Sequence, residues 1–97
     1  MAEMTKAGAA EVASVNGVEI SIDRDAATSW DAFKLLRVLN DPASDNIAKM
    51  DAALAYAQLV SGLDEDAIVG IAGGGRVQIE EVMAVIAAII EAASPKN

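Results

Sequence analysis

From Val12 onward the chain alternates, with Val15, Val18, Ile20 and Ile22 apolar and Ser14, Glu19, Ser21 and Asp23 polar. A period of two predicts strands that turn one face toward a core. Asn16-Gly17 divides the alternation, and that dipeptide supplies the positive φ angles of a two-residue turn. A short β-hairpin follows. Beyond Asp23 the period becomes helical: Trp30, Phe33, Leu36 and Leu39 form a stripe that Leu35 and Val38 widen. Thr28 and Asp31 have the spacing of a capping box at its start, and Asn40-Asp41-Pro42 ends it. The stripe assigns Trp30 and Phe33 to the core, although a tryptophan also serves as an interface anchor.

A second helix is expected from Ser44 or Asp45 to about Ser61, with Gly62 as the left-handed residue past its end. Its main apolar face is Ile47, Met50, Leu54 and Ala57, which leaves Ala52, Tyr56 and Leu59 on another side. A third, shorter helix starts at Asp64, with Leu63 and Ile68 placed as a hydrophobic staple, and Gly73-Gly74-Gly75 stops it. The fourth starts near Gln78, where Val77 and Val82 repeat the staple and Glu80 and Glu81 sit at the positive dipole end. It runs to about Ala93, and Ser94-Pro95 closes it. The expected fold is mainly α, a small bundle of about four helices with a short N-terminal β-hairpin. It spans residues 12 to 93, between a flexible N-terminus of residues 1 to 11 and a tail of residues 94 to 97.

In the last helix, Ile79, Val82, Met83, Val85, Ile86, Ile89 and Ile90 fill roughly 160° of the wheel, and Ala84, Ala87 and Ala88 occupy the opposite side. A helix apolar all round is either central in its own bundle or covered by another chain. The candidate protein-interaction residues are therefore Val85, Ala88, Ile89 and Ala84, together with Tyr56 and Leu59 off the main face of the second helix. Small side chains let helices approach closely, so self-association into a homo-oligomer is expected.

Composition sharpens this picture. In 97 residues, 54% are apolar yet only Trp30, Phe33 and Tyr56 are aromatic, so the surplus is aliphatic and some of it is left for a partner. A formal charge of −8 repels phosphate backbones and anionic lipid, which argues against nucleic acid and membrane surfaces. The longest apolar run, Val82 to Ile90, is flanked by Glu80, Glu81 and Glu91 and is far short of a membrane span. The first residues lack the apolar stretch of a signal peptide, and the absence of Cys suits a reducing compartment, so a cytoplasmic location is expected.

With neither His nor Cys, the usual catalytic triads and imidazole or thiolate metal sites are ruled out, and the chain is not expected to be an enzyme. Asp64-Glu65-Asp66 fails as a calcium loop, because Val69 stands at the turn-glycine position and Gly75 at the closing acid. Gly73-Gly74-Gly75-Arg76 lacks the Lys and the Ser or Thr of a P-loop, and a helix precedes it where a strand should. Gly70 and Gly74 stand four apart but outside any membrane-length apolar span. An acyl carrier needs a serine at a helix start, whereas Ser61 lies at a helix end. No cofactor or metal is expected.

Read in order, Val15 to Asp23 (VNGVEISID), Thr28 to Asp41 (TSWDAFKLLRVLND), an Ala-rich helix, a small helix, and Gly73 to Asn97 (GGGRVQIEEVMAVIAAIIEAASPKN) form a recognisable series. The chain resembles, over about residues 12 to 97, the short form of the tail assembly chaperones of long-tailed phages and prophages of Gram-positive bacteria. Its most telling stretch is Arg76 to Val82, leading from glycines into the apolar terminal helix. The resemblance implies a protein absent from the mature virion that binds the tape measure protein and helps the tail tube protein assemble around it. It also implies a longer product made by frameshifting. Pro95-Lys96-Asn97 and Ser94-Pro95-Lys96 can both be encoded by slippery heptamers, which places the expected shift in the last codons. The alternatives from other classes are a small virion structural protein, such as a head–tail connector subunit, and a host-directed regulatory binding protein.

Overall fold

The computed structural model describes residues 10–94. The alternating segment is a two-stranded antiparallel hairpin, β1 (Ala10–Val15) and β2 (Val18–Asp23), with Val15 opposite Val18, Ala13 opposite Ile20 and Glu11 opposite Ile22. Val15, Ile20 and Ile22 are buried on that face, and Val12 on the other is exposed. Asn16 at φ +52° and Gly17 at φ +79° make the turn, both left-handed as a hairpin of this length demands. The Asn16 side chain also donates a 3.1 Å hydrogen bond to the Ile71 carbonyl, which ties the turn to a helix far along the chain.

Strand β1 begins two residues before the expected boundary, because Ala10 still pairs with Asp23 and the Glu11 carboxylate meets Arg24 at 3.0 Å. The rest of the expected flexible N-terminus, residues 1–9, lies outside the described residues, as do Pro95, Lys96 and Asn97 of the tail.

Among the described residues there are five helices where about four were expected. The addition is α1 (Arg24–Ala27), a single turn nucleated by the Asp23 carboxylate, which accepts from the N–H groups of Asp25 at 2.9 Å and Ala26 at 3.2 Å. Its presence moves the next cap. The Thr28 hydroxyl donates back to the carbonyls of Arg24 and Asp25, so Ser29 caps α2 (Trp30–Leu39) in its place, accepting from Ala32 N–H at 3.2 Å.

Helix α2 also turns a different side inward. Ala32 is fully buried and Leu35, Leu36 and Leu39 pack around it, whereas Trp30 is 67% exposed and Phe33 47%. The assignment of these two aromatics to the core is thus corrected. Where α2 rests on α3, the point of contact holds a methyl group, and a close helix approach of that kind leaves no room for a ring.

The three later helices keep their expected bounds and caps. Helix α3 (Asn46–Ser61) starts where Asp45 accepts from Ala48 N–H at 2.8 Å and ends at Gly62, φ +72°. Helix α4 (Glu65–Ala72) is capped by Asp64, which accepts from Ala67 N–H at 2.8 Å, and Leu63 and Ile68 both reach the core. Helix α5 (Ile79–Ala93) opens with the Gln78 N–H donating to the Glu81 carboxylate at 3.0 Å.

The buried side of α3, however, is Ala52, Ala53, Tyr56, Ala57 and Val60; of the expected face only Ala57 is buried, and Ile47 is exposed. Helices α3 and α5 form the central pair, with α2 flanking α3, α4 flanking α5, and the hairpin laid across both. Ile22, Val60, Ile68, Val85, Ile86 and Ile89 are the largest fully buried side chains where these elements meet. Among the described residues, no helix is long and apolar enough to cross a membrane.

These placements separate two classes of substitution. Ile89→Ala is expected to cost about 2 to 5 kcal/mol, as a truncation in a close-packed interior does. Trp30→Ala, removing an exposed ring, is expected to cost about 1 kcal/mol or less. Urea unfolding followed by circular dichroism measures both, and equal losses would contradict the outward position of Trp30.

Candidate functional site

The six residues singled out as a contact surface do not form one. Val85, Ile89 and Tyr56 are 1%, 0% and 3% exposed, so they belong to the core and are corrected as interaction residues. Ala88 and Leu59 are half-buried against that core, and only Ala84 is exposed. The cause lies in the circumference of α5. One side is used up by α3, α4 and the hairpin, and the outer strip is Glu80, Ala84, Ala87 and Glu91, in which two methyl groups lie between two carboxylates and offer little apolar area.

Two hollows at the surface of the described residues are large enough to consider. The larger, about 390 Å³, lies between the end of β2, α1 and the C-terminal turn of α3. Its walls include Ser21, Asp23, Asp25 and Ser61, and the Asp23 carboxylate is already committed to capping α1. The Ser61 hydroxyl is likewise spent, donating to the Ala57 carbonyl at 2.6 Å. Little is left there to hold a ligand.

The smaller, about 230 Å³, runs between α3, α4 and α5. Met50, Leu54, Val69, Val77, Val82 and Met83 make its walls, all half-buried, and Ile79 stands at its edge 68% exposed. Two side chains in it are charged, Asp51 and Glu65, and both are exposed carboxylates. The groove is therefore an aliphatic and thioether trough with a negative rim. Such a surface can take up an apolar segment by excluding water, and methionine side chains adapt to irregular shapes. Ile47, also exposed, lies one turn before Met50 on the same side of α3 and lengthens the stripe.

None of the six expected residues lines this groove. The nearest signal in the sequence was Ile47, Met50 and Leu54, read as the inward face of α3. Recognising it as a groove wall required knowing that Val69, Val77 and Val82 face it from two other elements. Among the described residues, no three carboxylates converge in a way that could hold a metal ion.

Among the described residues, Tyr56 carries a clear electrostatic signature. Burial raises its hydroxyl pKa above the ordinary 10.0, because the phenolate would lose its hydration. Above that ordinary value the unfolded chain releases the proton while the folded chain keeps it, so stability declines as pH rises until the folded group also titrates. Tyr56→Phe is expected to flatten this alkaline decline. Unfolding free energies of both proteins from pH 9 to 11 test it, and parallel curves would refute the assignment.

No family model, no curated protein and no solved structure matches this chain.

Proposed function

We propose that this chain is a tail assembly chaperone of a long-tailed phage or prophage, binding apolar stretches of the tape measure protein in the host cytoplasm while the tail tube protein assembles. The observation that carries the reading is the open trough between α3, α4 and α5, walled by Met50, Leu54, Val69, Val82 and Met83. Support also comes from the resemblance of the chain, element by element, to the short form of such chaperones. The chemistry suits the task. A holdase must capture varied aliphatic sequences without reacting with them, and a methionine-containing trough is tolerant in that way. The formal charge of −8 then keeps the loaded complex apart from its neighbours and in solution.

The test is co-expression with a phage tape measure protein, followed by copurification and by binding to overlapping tape measure peptides. Ile79→Asp places a charge at the groove edge on a side chain that is 68% exposed, so the fold should persist. It is expected to weaken capture by roughly tenfold to a hundredfold, the equivalent of about 1.5 to 3 kcal/mol of lost apolar burial. Unchanged capture would remove the groove from the reading. Recovery of the protein in stoichiometric amounts from finished virions would replace a chaperone with a connector.

A further inference from the structure

We propose that the outward face of α2 on one copy docks into the groove between α3, α4 and α5 of a second copy, so that the protein associates head to tail. Trp30, Phe33, Lys34 and Arg37 fall within roughly 100° of the α2 circumference, opposite the side that packs on α3. The two rings are 5.0 Å apart, and the Arg37 guanidinium lies 5.6 Å from the centre of the Phe33 ring. This is an aromatic knob with cations beside it, already assembled before contact. Little rotamer freedom remains to be lost on binding, and Trp and Arg are the side chains that most often anchor interfaces.

The groove offers the complement. Its walls are aliphatic and thioether, with Met50 and Met83 able to lie against aromatic rings, and its only charges are the carboxylates of Asp51 and Glu65. Arg37 on the knob opposes them in sign, and so does Lys34, which within its own chain pairs with Asp31 at 3.6 Å and would exchange that exposed partner for the rim. Elsewhere two copies of a chain with formal charge −8 repel, which favours this pairing over arbitrary ones. No residue of α2 lines the groove, so the two surfaces are separate and each copy presents both. The contact is heterologous, and it closes into a ring or extends according to the rotation it imposes. A client segment and a neighbouring copy would then compete for one groove.

Trp30 is the only tryptophan in the chain, so its fluorescence reports the docking directly. The chain alone should show a blue shift with rising concentration, a mass above the monomer by light scattering, and dissociation with salt. Trp30→Ala/Phe33→Ala removes the knob and Asp51→Lys/Glu65→Lys reverses the rim, all at exposed positions. Each double variant, checked for native circular dichroism, should weaken association by tenfold or more. Mixing the two restores one intact knob and one intact groove, so the mixture should form 1:1 dimers and no larger species, with the tryptophan of the rim variant shifted. A monomeric parent at high micromolar concentration, variants that associate like the parent, or a mixture that stays monomeric would each overturn the proposal. The measurement uses no client, so its failure leaves the chaperone reading standing.

Discussion

Helix α3 can have α1, α2, α5 and the hairpin as neighbours only because so much of its buried surface is alanine. Ala52, Ala53 and Ala57 let adjoining backbones come close, and Tyr56 and Val60 fill what the alanines leave open. Every other placement follows from that close approach. Ala32 becomes the contact residue of α2, the aromatic rings are turned outward, and α5 is held near enough for Val85, Ile86 and Ile89 to complete the interior. A chain of this size with a single Trp, Tyr and Phe cannot fill a wide core. It builds a narrow one.

The same constraint explains which features could be read from residues in order. Strand alternation, the Asn16-Gly17 turn, the caps at Asp45 and Asp64 and the stop at Gly62 are local, since each is decided by groups within a few residues, and each stands where the sequence puts it. The single turn α1 escaped because it rests on one carboxylate, Asp23, acting where a strand ends. Which side of a helix faces inward is a different kind of fact. Periodicity gives large residues the weight, whereas close packing gave the interior to alanines, so Trp30, Phe33 and Ile47 were assigned inward and lie outside. Val85, Ile89 and Tyr56 were assigned to a contact surface and lie at the centre for the converse reason. The groove was less legible still, since three elements contribute to it and no one of them shows an anomaly alone.

Charge and apolarity are distributed to match. Among the described residues the buried side chains are apolar apart from the Tyr56 hydroxyl, half-buried Arg24 encloses its Nε without a partner, and the carboxylates stay at the surface, where they cap helices and rim the groove. Two of the chain's seven basic residues, Lys34 and Arg37, sit on α2, the helix that also bears the exposed rings. The surface is thus polarised within a molecule that is acidic as a whole.

The hydrogen bond from Asn16 to the Ile71 carbonyl spans 55 positions of the chain, and the apolar face of the hairpin is covered by α3 and α5 together. During synthesis the hairpin leaves the ribosome first and has nothing to lie on. Helix α3 can cover only part of the hairpin's apolar face, the cover is completed when the final helix emerges, and the turn stays untethered until residue 71 does. A nascent chain that pauses before α5 therefore leaves part of that face open to its surroundings.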